Sequence, residues 1–319
     1  MPAYHVQNDI EIEASITAVR AAIEDFHQWP AWSPWLCAEP ETPMNFSGTP
    51  GQPGHAYDWS GTLVGAGEMT LDNIEESDRL QQLNMNLTFI RPFKSTARVR
   101  FDLEPLGDQR THVTWHMDSQ LPFFLFFMKR NIVAMITNDY NRGLRLLKDQ
   151  VENGEVHCNI AYEGVVDLPS SELLTSSGNC RLDDIGTHIE RAFKDVSDKL
   201  AADGAVPAGA PCCIYSDFDM HNMSCSYQAG LPVTADSANP GASDNNTLAI
   251  TTIPGGKAFK VRYRGSYDHL GNAWSAGMNY LRTKKMKAAK NRDPWEQYVN
   301  DPADTPAADL VTEIYLPLR

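Results

Sequence analysis

The sequence predicts an α+β chain in two parts. Residues 1–154 read as an antiparallel sheet wrapped on a long C-terminal helix. Residues 155–319 read as a duplicated strand–helix–strand–strand unit with a pseudo-two-fold axis. Three observations carry this. Apolar spacing changes from helical to alternating and back to helical between residues 15 and 152. The alternation restarts near residue 156. Two segments of that second half then repeat each other about 85 residues apart.

The elements follow in order. Residues 4–13 alternate as a strand does. Ser15 is a good helix N-cap, and Ile16, Val19, Ile23 and Phe26 then mark one helix face. Pro30 and Pro34 break that helix into short turns around Trp29, Trp32 and Trp35. Segments 66–76, 79–90, 94–105 and 110–118 read as strands, with a hairpin turn at Gly107-Asp108. Residues 128–152 return to helical spacing through Ile132, Met135, Ile136, Tyr140, Leu144 and Leu147.

A curved sheet around one helix leaves a cavity. Trp29, Trp32, Trp35 and Trp115 are its candidate lining; the first three fit either a cavity floor or a packed corner of the core. His112 and His116 share the face of their strand opposite Trp115. At that separation they do not chelate one metal easily, and they read as polar outer-face residues. No spacing selects Asp58 or Glu68 for the cavity. The run "IEASITAVRAAIEDFHQWPAWSPW" and the terminal helix resemble the SRPBCC superfamily (START-like, polyketide cyclase/dehydrase type) over residues 3–153. The resemblance implies a helix-grip fold with an apolar pocket for a hydrophobic ligand. It names no reaction.

In the second half, "DDIG" at 183–186 matches "DHLG" at 268–271, an offset of 85. Ile185, Ile189, Phe193, Val196 and Leu200 form one helix face; Leu270, Trp274, Met278 and Leu281 form its equivalent. Each helix leads to a Pro-led strand, "PCCIYSDFD" from Pro211 and "PWEQYVNDP" from Pro294, now offset by 83. The repeats span about 156–230 and 247–319, with a Gly/Pro/Ser/Asn/Asp-rich loop at 230–246 between them.

Two strands of the second repeat carry Glu-x-Tyr: Glu296 with Tyr298, and Glu313 with Tyr315. If they pair, Ile314 and Leu316 suit the helix-covered face, and Glu313 and Tyr315 fall on the other, a groove-facing side. Register decides whether Glu296 and Tyr298 join them. Pro alignment sets Cys213 opposite Glu296 and Tyr215 opposite Tyr298, so the groove is chemically asymmetric. A carboxylate among aromatic rings loses hydration. It can then bind a cation with cation–π help, or act as general acid/base. Trp274 and Tyr227 are weaker candidates, and Cys213 is a conceivable nucleophile with no His beside it.

The duplication and "GGKAFKVRYRGSYDHLGNAW … WEQYVNDPADTPAADLVTEIYLPL" resemble the gyrase-inhibitor-like (GyrI-like) family, which shares its fold with AraC-type effector-binding domains. Over residues 157–319 this resemblance implies a groove for a small cationic or aromatic ligand. It also implies a buried acidic residue at the positions of Glu296 or Glu313, with Glu296 favoured. Some members of that family resemble hydrolases that open strained cyclopropane-containing toxins.

Composition bounds the partners. The formal net charge of -14 and a pI near 5.0 disfavour nucleic acid and anionic lipid. The longest apolar run, "LPFFLFFM" at 121–128, is too short to span a bilayer. The first residues lack a signal-peptide pattern, and six cysteines without CxxC or metal spacing suit a reducing cytoplasm. No metal or cofactor is implied. The expected function is small-molecule binding, for sensing or sequestration. The alternatives are a hydrolase using Glu296 or Glu313, and an interaction module working through "LPFFLFFM".

Overall fold

The computed structural model describes residues 3–77, 79–121, 123–219, 222–234 and 248–319. The chain divides into two compact units, Met1–Cys158 and Asn159–Arg319.

In the first unit, β1 (Ala3–Ile12) leads to α1 (Ile16–Glu24) and the single turn α2 (Trp29–Trp32). Then come β2 (Met44–Ser47), β3 (Ala56–Ser60), β4 (Ala66–Glu76), β5 (Gln81–Arg91), β6 (Ser95–Gly107), β7 (Arg110–Gln120) and the long α3 (Lys129–Asn153). Ser15 caps α1 by accepting the Ala18 N–H at 3.3 Å. The seven strands run in the order β1-β7-β6-β5-β4-β3-β2, all antiparallel. β2 and β3 are additions to the sequence reading, being short and flanked by the Gly/Pro-rich residues 48–54.

α1, α2 and α3 close over one face of this sheet. Its buried residues, among them Leu71, Leu83, Phe101, Val113 and Trp115, meet Ile23, Trp29, Trp32, Tyr140 and Leu144. The Trp115 ring stacks on Tyr140 at 4.0 Å and on Phe101 at 4.8 Å. Trp29, Trp32 and Trp35 pack edge-on to Trp115 at 5.8–6.1 Å. Gly143 lets α3 approach this stack. A Cβ there would sit 2.8 Å from Trp115 Cζ3 and 3.0 Å from Pro34 Cδ.

In the second unit, the first repeat is β8 (Cys158–Leu168), β9 (Ser171–Arg181), α4 (Ile185–Ala202), β10 (Cys212–Asp219) and β11 (Ser224–Val233). The second is β12 (Leu248–Ile253), β13 (Gly256–Gly265), α5 (Leu270–Thr283), β14 (Trp295–Tyr298) and β15 (Val311–Pro317). Each repeat thus carries one leading strand more than the sequence reading gives. Of the expected loop at 230–246, residues 235–246 lie outside the described residues and 230–233 belong to β11.

The eight strands are ordered β12-β9-β11-β10-β14-β15-β13-β8. The order is symmetric about the β10–β14 pair, and each leading strand lies beside the other repeat's strands. α4 and α5 share one sheet face. Ile189 and Ala192 of α4 pack on Cys213, Tyr215, Cys225, Tyr227 and Ala229, and Gly277 of α5 lies against Leu316 and Val261. The β10–β14 seam runs between the two helices. The opposite face has its own apolar cluster, including Leu173, Cys212, Ile214, Trp295 and Tyr315.

Gly143→Ala tests the close approach in the first unit. Helix propensity alone favours Ala by up to about 1 kcal/mol. The clash with Trp115 and Pro34 reverses that, for an expected net loss of about 1–2 kcal/mol in urea unfolding. A stabilised variant would show that the stack yields.

Candidate functional site

The site is built where the repeats meet. Cys213 of β10 lies directly across from Glu296 of β14. These are the residues that Pro alignment makes equivalent, so the pseudo-dyad passes between them. The two Pro-led starts clasp each other symmetrically. Tyr215 N–H donates to the Pro294 carbonyl at 3.0 Å, and Tyr298 N–H donates to the Pro211 carbonyl at 2.9 Å. Strand alternation then sends Cys213, Tyr215, Glu296 and Tyr298 to the helix-bearing face.

Glu296 is 2% exposed. Its Oε2 accepts the Tyr215 hydroxyl at 2.9 Å and the Tyr298 hydroxyl at 2.7 Å. Its Oε1 accepts the Trp274 indole N–H from α5. Each repeat therefore supplies one tyrosine to the same carboxyl. All three donors are neutral, and no Lys, Arg or His is paired with Glu296 among the described residues. Burial pushes the Glu296 carboxyl above its ordinary value, and the three hydrogen bonds offset this in part. Burial also raises Tyr215 and Tyr298 well above a normal phenol, so both remain donors at neutral pH.

A second ring of aromatics surrounds this cluster. Phe193 and Tyr267 meet Tyr298 edge-on at 5.6 Å each. Phe218 lies 5.3 Å from Tyr215 and 5.8 Å from Trp274, and is 43% exposed. Alternation from Tyr215 would send Phe218 to the other face. A β-bulge between Tyr215 and Asp217 shifts the phase, so that Phe218 lies opposite Cys225 on the helix-bearing side. Phe218 and Tyr267 were not selected from sequence. The bulge leaves no sequence signal, whereas Tyr267 lies just ahead of the repeated "DHLG" segment. Tyr227 occupies the same face further out, its hydroxyl donating to the His188 carbonyl at 3.4 Å. Burial, then the Glu296 charge, raise the Cys213 thiol well above its usual value. That removes the thiolate a nucleophile needs.

Glu313 and Tyr315 do not join Glu296. β14 and β15 pair so that Glu296 faces Ile314 and Gln297 faces Glu313. Glu296 and Tyr298 thus share the helix-covered face with Ile314, and Glu313 and Tyr315 lie on the other. There Glu313 meets Lys260 at 2.8 Å, Arg262 at 3.3 Å and the Tyr315 hydroxyl at 2.7 Å. Lys260 also reaches Glu163 at 2.9 Å. Burial would raise the Glu313 carboxyl, but Lys260, Tyr315 and Arg262 together hold it below the usual range. Tyr315 stacks on Trp295 at 4.9 Å. Glu313, Glu163, Lys260 and Arg262 thus form one ion-pair network.

In the first unit, Trp29, Trp32 and Trp115 are buried within the ring stack. The indole N–H groups of Trp29 and Trp32 donate to the Ile23 and Ala22 carbonyls, and that of half-buried Trp35 donates to Asp139. The arrangement is a packed corner. Asp58 and Glu68 face each other on the exposed side of the sheet. His112 and His116 lie on that outer side too, near Asp9 and Asp102 respectively. Asp25, His27 and His55 bring three potential ligand atoms within 4.8 Å of one another. However, backbone groups already engage both His55 ring nitrogens: Nε2 takes the Phe26 N–H and Nδ1 meets the Ser47 carbonyl. Asp25 caps the following turn at His27.

The two glutamates should titrate on opposite sides of the ordinary value. Carboxyl-detected NMR should show Glu296 above roughly 4.3 and Glu313 below it. The stability signs differ accordingly. The Glu296 contribution is present at low pH and is lost as pH rises through its raised value. The Glu313 contribution is present above the unfolded value and is lost as pH falls through its lowered one. Lys260→Met should raise Glu313 and leave Glu296 in place. Coincident titration would contradict the two environments.

Residues 3–152 match the family model described as polyketide cyclase / dehydrase and lipid transport. Residues 165–319 match the GyrI-like small molecule binding domain. No curated protein matches the chain in sequence. Among solved structures, the chain is similar to the EcmrR C-terminal domain at 17% identity, covering 51% of this chain and 98% of that one, with a TM-score of 0.37. It is similar to SAV2435 bound to tetraphenylphosphonium at 17% identity, covering 50% and 94%, with a TM-score of 0.37. It is also similar to the hypothetical protein jhp0584 from Helicobacter pylori at 11% identity, covering 46% and 88%, with a TM-score of 0.38. No described helix is long and apolar enough to cross a membrane. The two matched halves define the chain: an SRPBCC-type polyketide cyclase/dehydrase domain joined to a GyrI-like small molecule binding domain.

Proposed function

We propose that the second unit binds a small aromatic cation at Glu296, and that the protein senses or sequesters such compounds. One observation carries this: a buried carboxyl held by three neutral donors and by no cation among the described residues. Its three bonds use three of roughly four acceptor positions on a carboxylate. A positive charge is what the site lacks, and the rings of Tyr215, Trp274, Phe218, Tyr267 and Tyr298 favour one that is delocalised or flanked by aryl groups. The match to a small molecule binding domain supports the same reading.

Affinity for a tetraphenylphosphonium salt tests it, with triphenylphosphine oxide as an uncharged aryl control. Glu296→Gln should weaken the cation roughly tenfold to a hundredfold, as for loss of an interaction with a charged group. Uncharged aryl binding should change little. Glu313→Gln should leave both unchanged. Wild-type affinity should rise with pH through the raised Glu296 value and then level, since the cation selects the ionised carboxyl. Equal affinities in wild type and Glu296→Gln would overturn the assignment.

The same raised carboxyl favours a second reading. A proton donor still protonated closer to neutral pH suits general acid catalysis on a strained or electrophilic ring. Recovery of the bound compound distinguishes the two. A binding protein returns it unchanged, whereas a hydrolase returns product, and Glu296→Gln then stops turnover.

A further inference from the structure

We infer that one end of the first unit is a docking surface for an anionic phospholipid bilayer. The turn Phe123–Met128 leads into α3 there. Phe126 and Phe127 are 57% and 70% exposed, and Met128 and Met135 are exposed beside and beyond them. The β5–β6 hairpin tip lies at the same end and exposes Ile90 and Phe93. Register places the two together: Ala97 faces Ser119, and the Ser119 hydroxyl donates to the Thr96 carbonyl at 2.8 Å. Five large apolar side chains, counting Met128 and leaving Met135 aside, thus crowd one end of a sheet whose other apolar groups are mostly inside.

Charge selects the occupant. Residues 88–98 and 119–138 contain Arg91, Lys94, Arg98, Lys129 and Arg130 and no Asp or Glu, in a chain of 41 acidic and 27 basic residues. All five cations are exposed. Nearby carboxylates are engaged elsewhere. Glu39 accepts the N–H groups of Thr62, Leu63 and Val64, and Asp118 meets His5 at 2.8 Å. Aromatic and thioether side chains among cations suit the headgroup–acyl boundary: rings enter, and Lys and Arg stay with the phosphates. Residues 282–292 of the second unit are also basic and free of Asp and Glu, but no large apolar side chain is exposed among them, so they lack the apolar half of such a surface.

Cosedimentation of the full chain with vesicles tests this, using phosphatidylcholine alone and with about 30% phosphatidylserine. The wild type should pellet with the serine-containing vesicles, less so as salt rises. Lys94→Glu with Arg130→Glu, both at exposed positions, should cut vesicle affinity by at least about thirtyfold. Phe126→Ser with Phe127→Ser should cut it as well. A wild type that stays in the supernatant overturns the proposal, as does binding untouched by either double variant. A concentration-dependent dimer lost in Phe126→Ser/Phe127→Ser, without vesicle binding, assigns the surface to a second copy and also overturns it.

Discussion

A buried carboxyl at the meeting line of two repeats sets the arrangement of the side chains around it. Glu296 lies against Cys213 on the β10–β14 seam, on the face that carries both helices, and is buried. Ionising it there costs free energy that neutral hydrogen bonds recover only in part. The surrounding features follow from that cost. Tyrosines from both repeats and the indole of α5 aim their donors at it, and their own pKa values are held high so that they keep their protons. Among the described residues no cation offsets the rest of that cost.

Duplication explains how such a site arises in a sheet. A symmetric pair at the dyad would bring two like residues face to face. Two glutamates there would repel, and two cysteines would give no charge. One of each leaves a single carboxylate with symmetric tyrosine support. The opposite face shows the contrasting solution. Glu313 is also largely buried, but Lys260 and Arg262 neutralise it, and its carboxyl is lowered. Similar Glu-x-Tyr strings thus hold an unpaired carboxyl on one face and an ion-paired one on the other.

Much of this was legible in the residues. The 85-residue offset reappears in the starts of α4 at Ile185 and α5 at Leu270. The Pro-led alignment already paired Cys213 with Glu296 and Tyr215 with Tyr298. What the residues withheld was the face of Glu296 and Tyr298, because a one-residue change in register inverts every side chain; the groove was expected on the face of Glu313, opposite the helices, whereas Glu296 lies beneath them. Phe218 was hidden for a related reason, since a bulge adds a residue to the count. Net charge is a coarse guide in another way. A total of -14 averages over the molecule and conceals a cationic, apolar end of the first unit. The tryptophan corner, open to either reading as sequence, is a packed stack because Trp115 fills the space against Tyr140.

A cation that binds by ionising Glu296 must displace its proton. Calorimetric titration with a tetraphenylphosphonium salt, in buffers of different ionisation enthalpy, measures the protons exchanged on binding. The wild type should release a fraction of a proton per cation at pH values near and below the raised Glu296 value, falling to none at higher pH, and Glu296→Gln should release none. Tight binding with no proton release anywhere between about pH 4 and about pH 8, or equal release in both proteins, would contradict a cation site at Glu296.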